Sequence, residues 1–293
     1  MSFAGRPGLE WLPSGNVEGC GVKVLIATPA YGAVVTAAYH ESVLNTVRYF
    51  QEEFPGIRFE SMLLSLSMIT TSRNLYASTV LNDPSYTHLL FIDSDMGFSP
   101  SLIARMLALQ KPIVGIVAPL RKLDLEAYHK ARLSTDSPLL ARILANEYVA
   151  GDGVLPETMP DGSKQVTIVD GFVRVTHTGT GIMLIERTVF EALRDKYPDL
   201  WMANPPAHLQ QMGKFKGGYL QCFDVARGSN GMALGEDVSF CLRWSQGLGG
   251  EIWVNVDEPI LHIGQETFSG RYLTKLERSG VTLNIVNTTP TDA

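Results

Sequence analysis

HLLFIDSDMGFSP, residues 88–100, joins a wholly apolar run to two carboxylates, a glycine and a Ser-Pro pair. His88 to Ile92 reads as a short buried strand, and it runs straight into Asp93. Ser99 then caps a helix that begins at Pro100 and turns Leu102, Met106 and Leu109 inward. Upstream, Val22 to Thr28 (VKVLIAT) is a second buried strand, stopped by Pro29. Thr36 to Phe54 is helical, with Val43, Val47 and Phe50 at helical spacing. Ile57 to Ser65 is a further strand, and Thr70 to Leu81 a helix with Thr70, Thr71 or Ser72 available as N-cap. Downstream, Pro112 to Ala118 (PIVGIVA) is another buried strand. Strand and helix thus alternate as in a doubly wound parallel sheet with right-handed crossovers.

The second half breaks this rhythm. Residues 123–162 are more polar, with a helical stretch from Pro138 to Tyr148. Gln165 to Thr178 alternates like antiparallel strands. Gly179 to Ile185 is a Gly-rich turn entering an apolar strand, and Arg187 to Lys196 is helical. Met212 to Gly218 and Arg227 to Gly231 read as Gly-rich loops. Gly235 opens a helix, and Glu251 to Val256 and Pro259 to His262 are the last strands. There is no internal repeat. The division expected is a lead-in over 1–21, a single domain over 22–270 and a tail over 271–293. Within the domain, 22–122 is the nucleotide-binding half and 123–270 the acceptor-side, metal-completing half.

The 293 residues are 45% hydrophobic, enough for a large core, and the formal charge of −6 argues against a general nucleic-acid binder. Cys20, Cys222 and Cys241 are isolated and odd in number, which points to a reducing compartment. No apolar run reaches membrane-spanning length, and residues 1–21 lack a basic-then-apolar leader pattern. A cytoplasmic protein is expected.

Asp93 and Asp95 stand at the C-terminal end of a strand, the edge at which ligands bind in open α/β sheets. A hard divalent cation between two close carboxylates relieves their repulsion, and such ions are held by one or two carboxylates together with substrate phosphates. Three segments in this order, TPAYG (28–32), Asp93-Ser94-Asp95 and GEDVSFCLRW (235–244), resemble the GT-A glycosyltransferases. The likeness is to the large inverting family that includes cellulose and polysaccharide synthases, and it spans most of residues 22–265.

That resemblance implies a GT-A-like, Rossmann-like fold: a mostly parallel sheet flanked by helices, with a smaller antiparallel acceptor-side portion. It implies Mn²⁺ or Mg²⁺ held by Asp93, Asp95 and His262, the last on the strand PILHIG. The donor, a UDP- or GDP-sugar, would meet Thr28, Pro29, Ala30, Tyr31, Arg73, Asn74, Asp93, Ser94 and Lys122. Tyr31 is suited to stack on a base, and Arg73 and Asn74 begin a helix, where anions are favoured. Arg121 and Lys122 follow a strand, where they would meet phosphate or the sugar. Gly179, Thr180 and Gly181 would let a sugar approach the backbone on the acceptor side. Asp237 would be the general base that removes the acceptor hydroxyl proton, with Glu236 orienting the site.

Two departures bear on stereochemistry. A QxxRW-type acceptor motif is missing, and a late histidine ligand is frequent among retaining enzymes, so inversion is only slightly favoured. A sugar-phosphate nucleotidyltransferase is the alternative enzyme, but its Gly-rich basic loop is missing from TPAYG. A catalytically silent nucleotide-sugar or glycan-binding module is opposed by the joint presence of Asp93, Asp95, Asp237 and His262. The hydroxyl acceptor stays open among glycan, lipid, protein, small molecule and a modified nucleic-acid base.

Overall fold

Val22–Pro29 forms β1, and its Val24 to Ala27 are buried whichever way their side chains point. A strand apolar on both faces must be covered by a layer on each. β1 pairs in parallel with β2 (Ile57–Leu64) on one side and β3 (His88–Ile92) on the other. The computed structural model describes residues 21–149, 153–154, 156–264 and 267–286.

The crossovers run through α1 (Ala37–Glu53) and α2 (Ile69–Asn82). Thr36 caps α1, its side chain accepting from the Tyr39 amide at 3.2 Å. The cap position of α2 is Met68, without a side-chain cap bond, and Thr70, Thr71 and Ser72 lie inside the first turn instead. This helix is buried without interruption from Ser72 to Leu81, so beyond its partly exposed first turn it is packed on all sides. After β3 come β4 (Met96–Gly97) and α3 (Pro100–Ala108), which Ser99 caps as the sequence indicates. β5 (Ile113–Ile116) follows, then the helical hairpin of α4 (Leu125–Arg132) and α5 (Pro138–Ala145).

The remaining strands are β6 (Glu157–Thr158), β7 (Lys164–Val169), β8 (Phe172–Val175), β9 (Ile182–Glu186), β10 (Trp201–Met202), β11 (Tyr219–Leu220), β12 (Ile252–Asn255), β13 (Ile260–Ile263), β14 (Thr267–Gly270) and β15 (Thr282–Val286). The remaining helices are α6 (Arg187–Lys196), α7 (Ala207–Gly213), α8 (Glu236–Ser245) and α9 (Tyr272–Glu277). The central sheet has the order β15-β7-β8-β12-β5-β9-β3-β1-β2, with β6 beside β7. β1, β2, β3, β5, β7, β12 and β15 share one sense, while β6, β8 and β9 run against it. The fold is therefore mixed α/β: a large sheet of mostly aligned strands flanked by helices, with small antiparallel sheets beside it.

Three features depart from the sequence reading. β9 inserts antiparallel between β3 and β5, so the first four apolar strands are not a continuous parallel set. Its run IMLIE is buried throughout its first four residues, and a strand buried on both faces carries no local mark of its direction. The stretch 212–218 is less a loop than expected, since α7 ends within it at Gly213 and β11 follows directly at Tyr219. Finally, the segment beyond 270 contributes α9 to the core and β15 to the sheet edge, in parallel register with β7.

Candidate functional site

The DSD tripeptide is clamped by backbone contacts before any ligand is considered. The Asp93 amide donates to the Gly181 carbonyl at 2.8 Å, and the Ser94 carbonyl accepts from the Thr36 amide at 2.9 Å. The Asp95 carbonyl accepts from the Ile263 amide at 2.8 Å. Antiparallel pairing of β13 with β4 sets His262 opposite Met96, one residue past Asp95. The return of the late histidine to the carboxylates, expected from the family likeness, is thus a matter of strand pairing.

Asp93 faces Arg73, which is only 3% exposed. Arg73 Nη2 donates to Asp93 Oδ1 at 3.3 Å and Nε to Glu236 Oε1 at 3.2 Å, tying the end of β3 to the start of α8. The guanidinium also lies 5.0 Å from the centre of the Phe91 ring. Its third nitrogen, Nη1, is buried without a hydrogen-bond partner. A charged donor left unpaired in the interior is costly, and Arg73 is among the residues that line the cleft described below. Burial, with the nearby Asp95 charge, pushes the Asp93 carboxyl above its ordinary range despite Arg73.

Asp95 is set differently. Its Oδ2 lies 2.7 Å from Arg121 Nη1 and 3.5 Å from His262 Nε2. Burial pushes Asp95 up, but the His262 and Arg121 contacts outweigh it and hold the carboxyl below its ordinary range. Burial pulls His262 down, yet Asp95 and the Pro119 carbonyl raise it above the usual imidazole value. His262 Nδ1 is 2.8 Å from the Pro119 carbonyl. In the neutral ring whose Nδ1–H donates to that carbonyl, the Nε2 lone pair faces Asp95, the tautomer seen in metal-ligating histidines.

Asp237 occupies the first turn of α8, where its Oδ1 accepts from the Val238 amide at 2.7 Å. Among the described residues no lysine or arginine pairs with it, whereas its neighbour Glu236 is held by Arg73. Burial and the Glu236 charge push Asp237 above the ordinary carboxylate range, against the Val238 amide and the field of Arg73. Arg73, Asp93, Glu236, Asp237, His262 and the Gly179-Thr180-Gly181 turn line one cleft with about 200 Å³ of free space. Gly179 is required by space: a Cβ there would lie 2.6 Å from Val149 Cγ1.

The expected triad of metal ligands is not assembled as the side chains stand. Among the described residues no group of three or more His, Cys, Asp or Glu is arranged to hold a metal ion. As they stand, Asp93 is paired with Arg73 and Asp95 with Arg121. Asp95 and His262 nonetheless converge, and a carboxylate with an imidazole is a donor set suited to Mn²⁺ whose remaining positions go to water and phosphate.

The other expected donor residues fall into two groups. Thr28 and Asn74 are enclosed in protein. The Thr28 hydroxyl is 2.5 Å from the Tyr39 hydroxyl and its carbonyl accepts from Tyr76 at 2.6 Å. Asn74 donates to Asp224 at 2.7 Å and accepts from the Phe223 amide at 2.8 Å, which pins the 222–224 loop. Both side chains are structural in this arrangement. Ala30 is buried too, its amide on the Leu64 carbonyl at 2.9 Å, and Pro29 ends β1 beside it. Tyr31, by contrast, stands 77% exposed on a short 3-10 turn, a ring face free to stack. Lys122 is exposed on Glu147 at 3.0 Å and does not line the cleft. Met96 and Val149 do line it and were not singled out from the sequence, where each is one apolar residue among many.

No protein-family model matches this chain, and no curated protein is detectably similar to it in sequence. Among solved structures, A197 from STIV aligns over 83% of this chain and 86% of its own length, with 14% identity and a TM-score of 0.41. A glucose-1-phosphate thymidylyltransferase from Bacillus anthracis, in complex with a sucrose, aligns over 83% and 89%, with 9% identity and a TM-score of 0.34. Mouse xyloside xylosyltransferase 1 aligns over 79% and 83%, with 12% identity and a TM-score of 0.26. These likenesses are slight, too low to establish a common fold or to speak for an activity.

Proposed function

We propose that this protein is a metal-dependent glycosyltransferase that moves a hexose from a nucleoside diphosphate sugar to a hydroxyl acceptor. The observation that carries the reading is the convergence, at one strand edge, of an unpaired carboxylate of raised pKa, a buried arginine with a free donor, and the Asp95–His262 pair. Asp237, Arg73 and His262 line one cleft, and Asp95 stands beside His262.

Asp237 takes the proton of the acceptor hydroxyl as it attacks the anomeric carbon. Its raised pKa suits a general base, which works best near the ambient pH. Glu236, held by Arg73, orients α8 and leaves Asp237 as the free carboxylate of the pair. The free Nη1 of Arg73 donates to an anionic oxygen of the donor, and Tyr31 stacks on the base. Asp95 and His262 are the residues that would hold Mn²⁺ or Mg²⁺, and the ion would supply Lewis-acid neutralisation of charge on the diphosphate. The Gly179–Gly181 turn receives the acceptor, and inversion is slightly favoured on the likeness of GEDVSFCLRW alone. A cytoplasmic location, where such donors are made, belongs to the same proposal.

The test is donor hydrolysis and transfer over UDP- and GDP-sugars with and without Mn²⁺. At least one donor is expected to be consumed in a metal-dependent way. Asp237→Asn is expected to lower turnover by about 10²-fold or more while leaving nucleotide affinity unchanged. Failure of every donor, with no metal-dependent nucleotide binding, refutes the proposal.

A further inference from the structure

One oxygen of Asp95 serves two partners at once. Arg121 Nη1 lies 2.7 Å from Asp95 Oδ2, and His262 Nε2 lies 3.5 Å from the same atom. The carboxylate oxygen that faces the imidazole is therefore the one that the guanidinium holds.

The three groups are not held equally firmly. The Ile263 amide on the Asp95 carbonyl fixes the Asp95 backbone, and the Pro119 carbonyl fixes His262 through Nδ1. Pro119 is itself set by backbone bonds on either side of it. The Val149 amide donates to the Ala118 carbonyl at 2.9 Å, and the Leu120 amide to the Glu147 carbonyl at 2.8 Å. The Arg121 side chain lies outside this frame. It is 51% exposed, and among the described residues Asp95 is its sole hydrogen-bond or ion-pair partner. Arg73 is the opposite case, 4% exposed and tied to both Asp93 and Glu236. Arg73 cannot leave without stranding two carboxylates, whereas Arg121 can swing on its long stem and strand only one.

We propose that Arg121 and a divalent cation are alternative occupants of Asp95 Oδ2, and that an anionic diphosphate makes the exchange by drawing the guanidinium to itself. The inference rests on the transferase reading, in which Asp95 and His262 hold the ion, and adds a coupling to it. A guanidinium and a divalent ion on one oxygen are like charges in close range, and they repel. A phosphate offers the guanidinium fork two parallel N–H···O bonds in place of one shared carboxylate oxygen. Arg121 thus weakens the hold of Asp95 on a divalent ion until a diphosphate is at hand. Metal and nucleotide then strengthen each other's binding, and by linkage the coupling is the same in both directions. Arg121 is a positioning residue in this scheme: it acts through Asp95 and is not a ligand of the ion.

The experiment is a titration of the full chain with Mn²⁺, followed by the electron paramagnetic resonance signal of the free ion. It is run without nucleotide and then with UDP or GDP, corrected for the Mn²⁺ that the nucleotide alone binds. Without nucleotide, Arg121→Ala is expected to bind Mn²⁺ about tenfold more tightly than the parent. Lys122→Ala removes an equal charge one residue on, from an exposed side chain paired with Glu147, and is expected to change the affinity by less than about twofold. Adding Asp95→Asn to Arg121→Ala is expected to abolish the gain. Nucleotide is expected to strengthen Mn²⁺ binding more in the parent than in Arg121→Ala. The inference is overturned if Arg121→Ala binds Mn²⁺ no more tightly than the parent, if Lys122→Ala matches it, or if the gain survives Asp95→Asn. An equal strengthening by nucleotide in both proteins overturns it too. Each of those results leaves the transferase reading in place so long as the parent binds Mn²⁺ with either nucleotide. Mn²⁺ held by neither protein, with or without nucleotide, overturns both.

Discussion

Asp93 faces a buried arginine and Asp95, two residues on, faces a half-exposed one. The first carboxyl is pushed above its ordinary range by burial, while His262 and Arg121 hold the second below it. A tripeptide that reads as a symmetrical pair is thus two sites. The Asp93 side is structural as well as chemical, because Arg73 links it to Glu236 and so to the helix that carries Asp237. The Asp95 side is open to exchange, since Arg121 is an exposed partner that can give way to an incoming ligand without disturbing the core.

Removing Arg73 strains this comparison most. Arg73→Ala leaves Asp93 and Glu236 without their shared cation, and is expected to cost about 3 kcal/mol of stability in urea denaturation. The figure sits at the low end for a broken buried pair because both carboxylates are partly exposed. A loss near zero would mean that the two sides do not differ as described.

The next test concerns the carboxylate that has no cation. Asp237 binds its proton more tightly in the folded protein than in the unfolded chain, so its ionisation opposes folding. The folded state therefore loses stability as pH rises from the ordinary carboxylate value, about 3.9, through the raised one. Asp237→Asn removes that cost and is expected to be more stable than the parent at pH 7, with the gain vanishing near pH 4. Parallel thermal melts at the two pH values decide it. A variant less stable at pH 7 would show that the carboxylate is compensated after all, by a contact outside those described.

Arg121→Ala should have the smallest effect. Its pair with Asp95 is short, but the arginine side chain is 51% exposed, and exposed pairs contribute at most about 1 kcal/mol. A change within about 0.5 kcal/mol is expected in the same urea experiment. A loss as large as that from Arg73→Ala would erase the distinction between the two halves of the site.

Much of the first half was legible because its signals are local. Apolar runs stopped by Pro29 or Asp93, and a Ser99-Pro100 helix start, are set by side-chain burial and backbone sterics within a few residues. Asp93, Arg73, Gly179–Gly181, the Glu236-Asp237 pair and His262 were named from motif and position and line one cleft, with Asp95 beside His262. Thr28 and Asn74 were misplaced for the opposite reason. A hydroxyl or amide next to a motif looks the same in sequence whether it faces a ligand or, as here, Tyr39 and the 222–224 loop.

By itself, then, the sequence determined the main strands and helices of residues 22–118 and which side chains bring charge to the strand edge. Tertiary structure alone decided the direction of β9, the entry of β15 into the sheet, and the partition of the DSD carboxylates between Arg73 and Arg121. Those outcomes rest on pairings between segments tens to more than a hundred residues apart. Hydrogen-bond register and burial settle such pairings globally, and no short window of sequence encodes them.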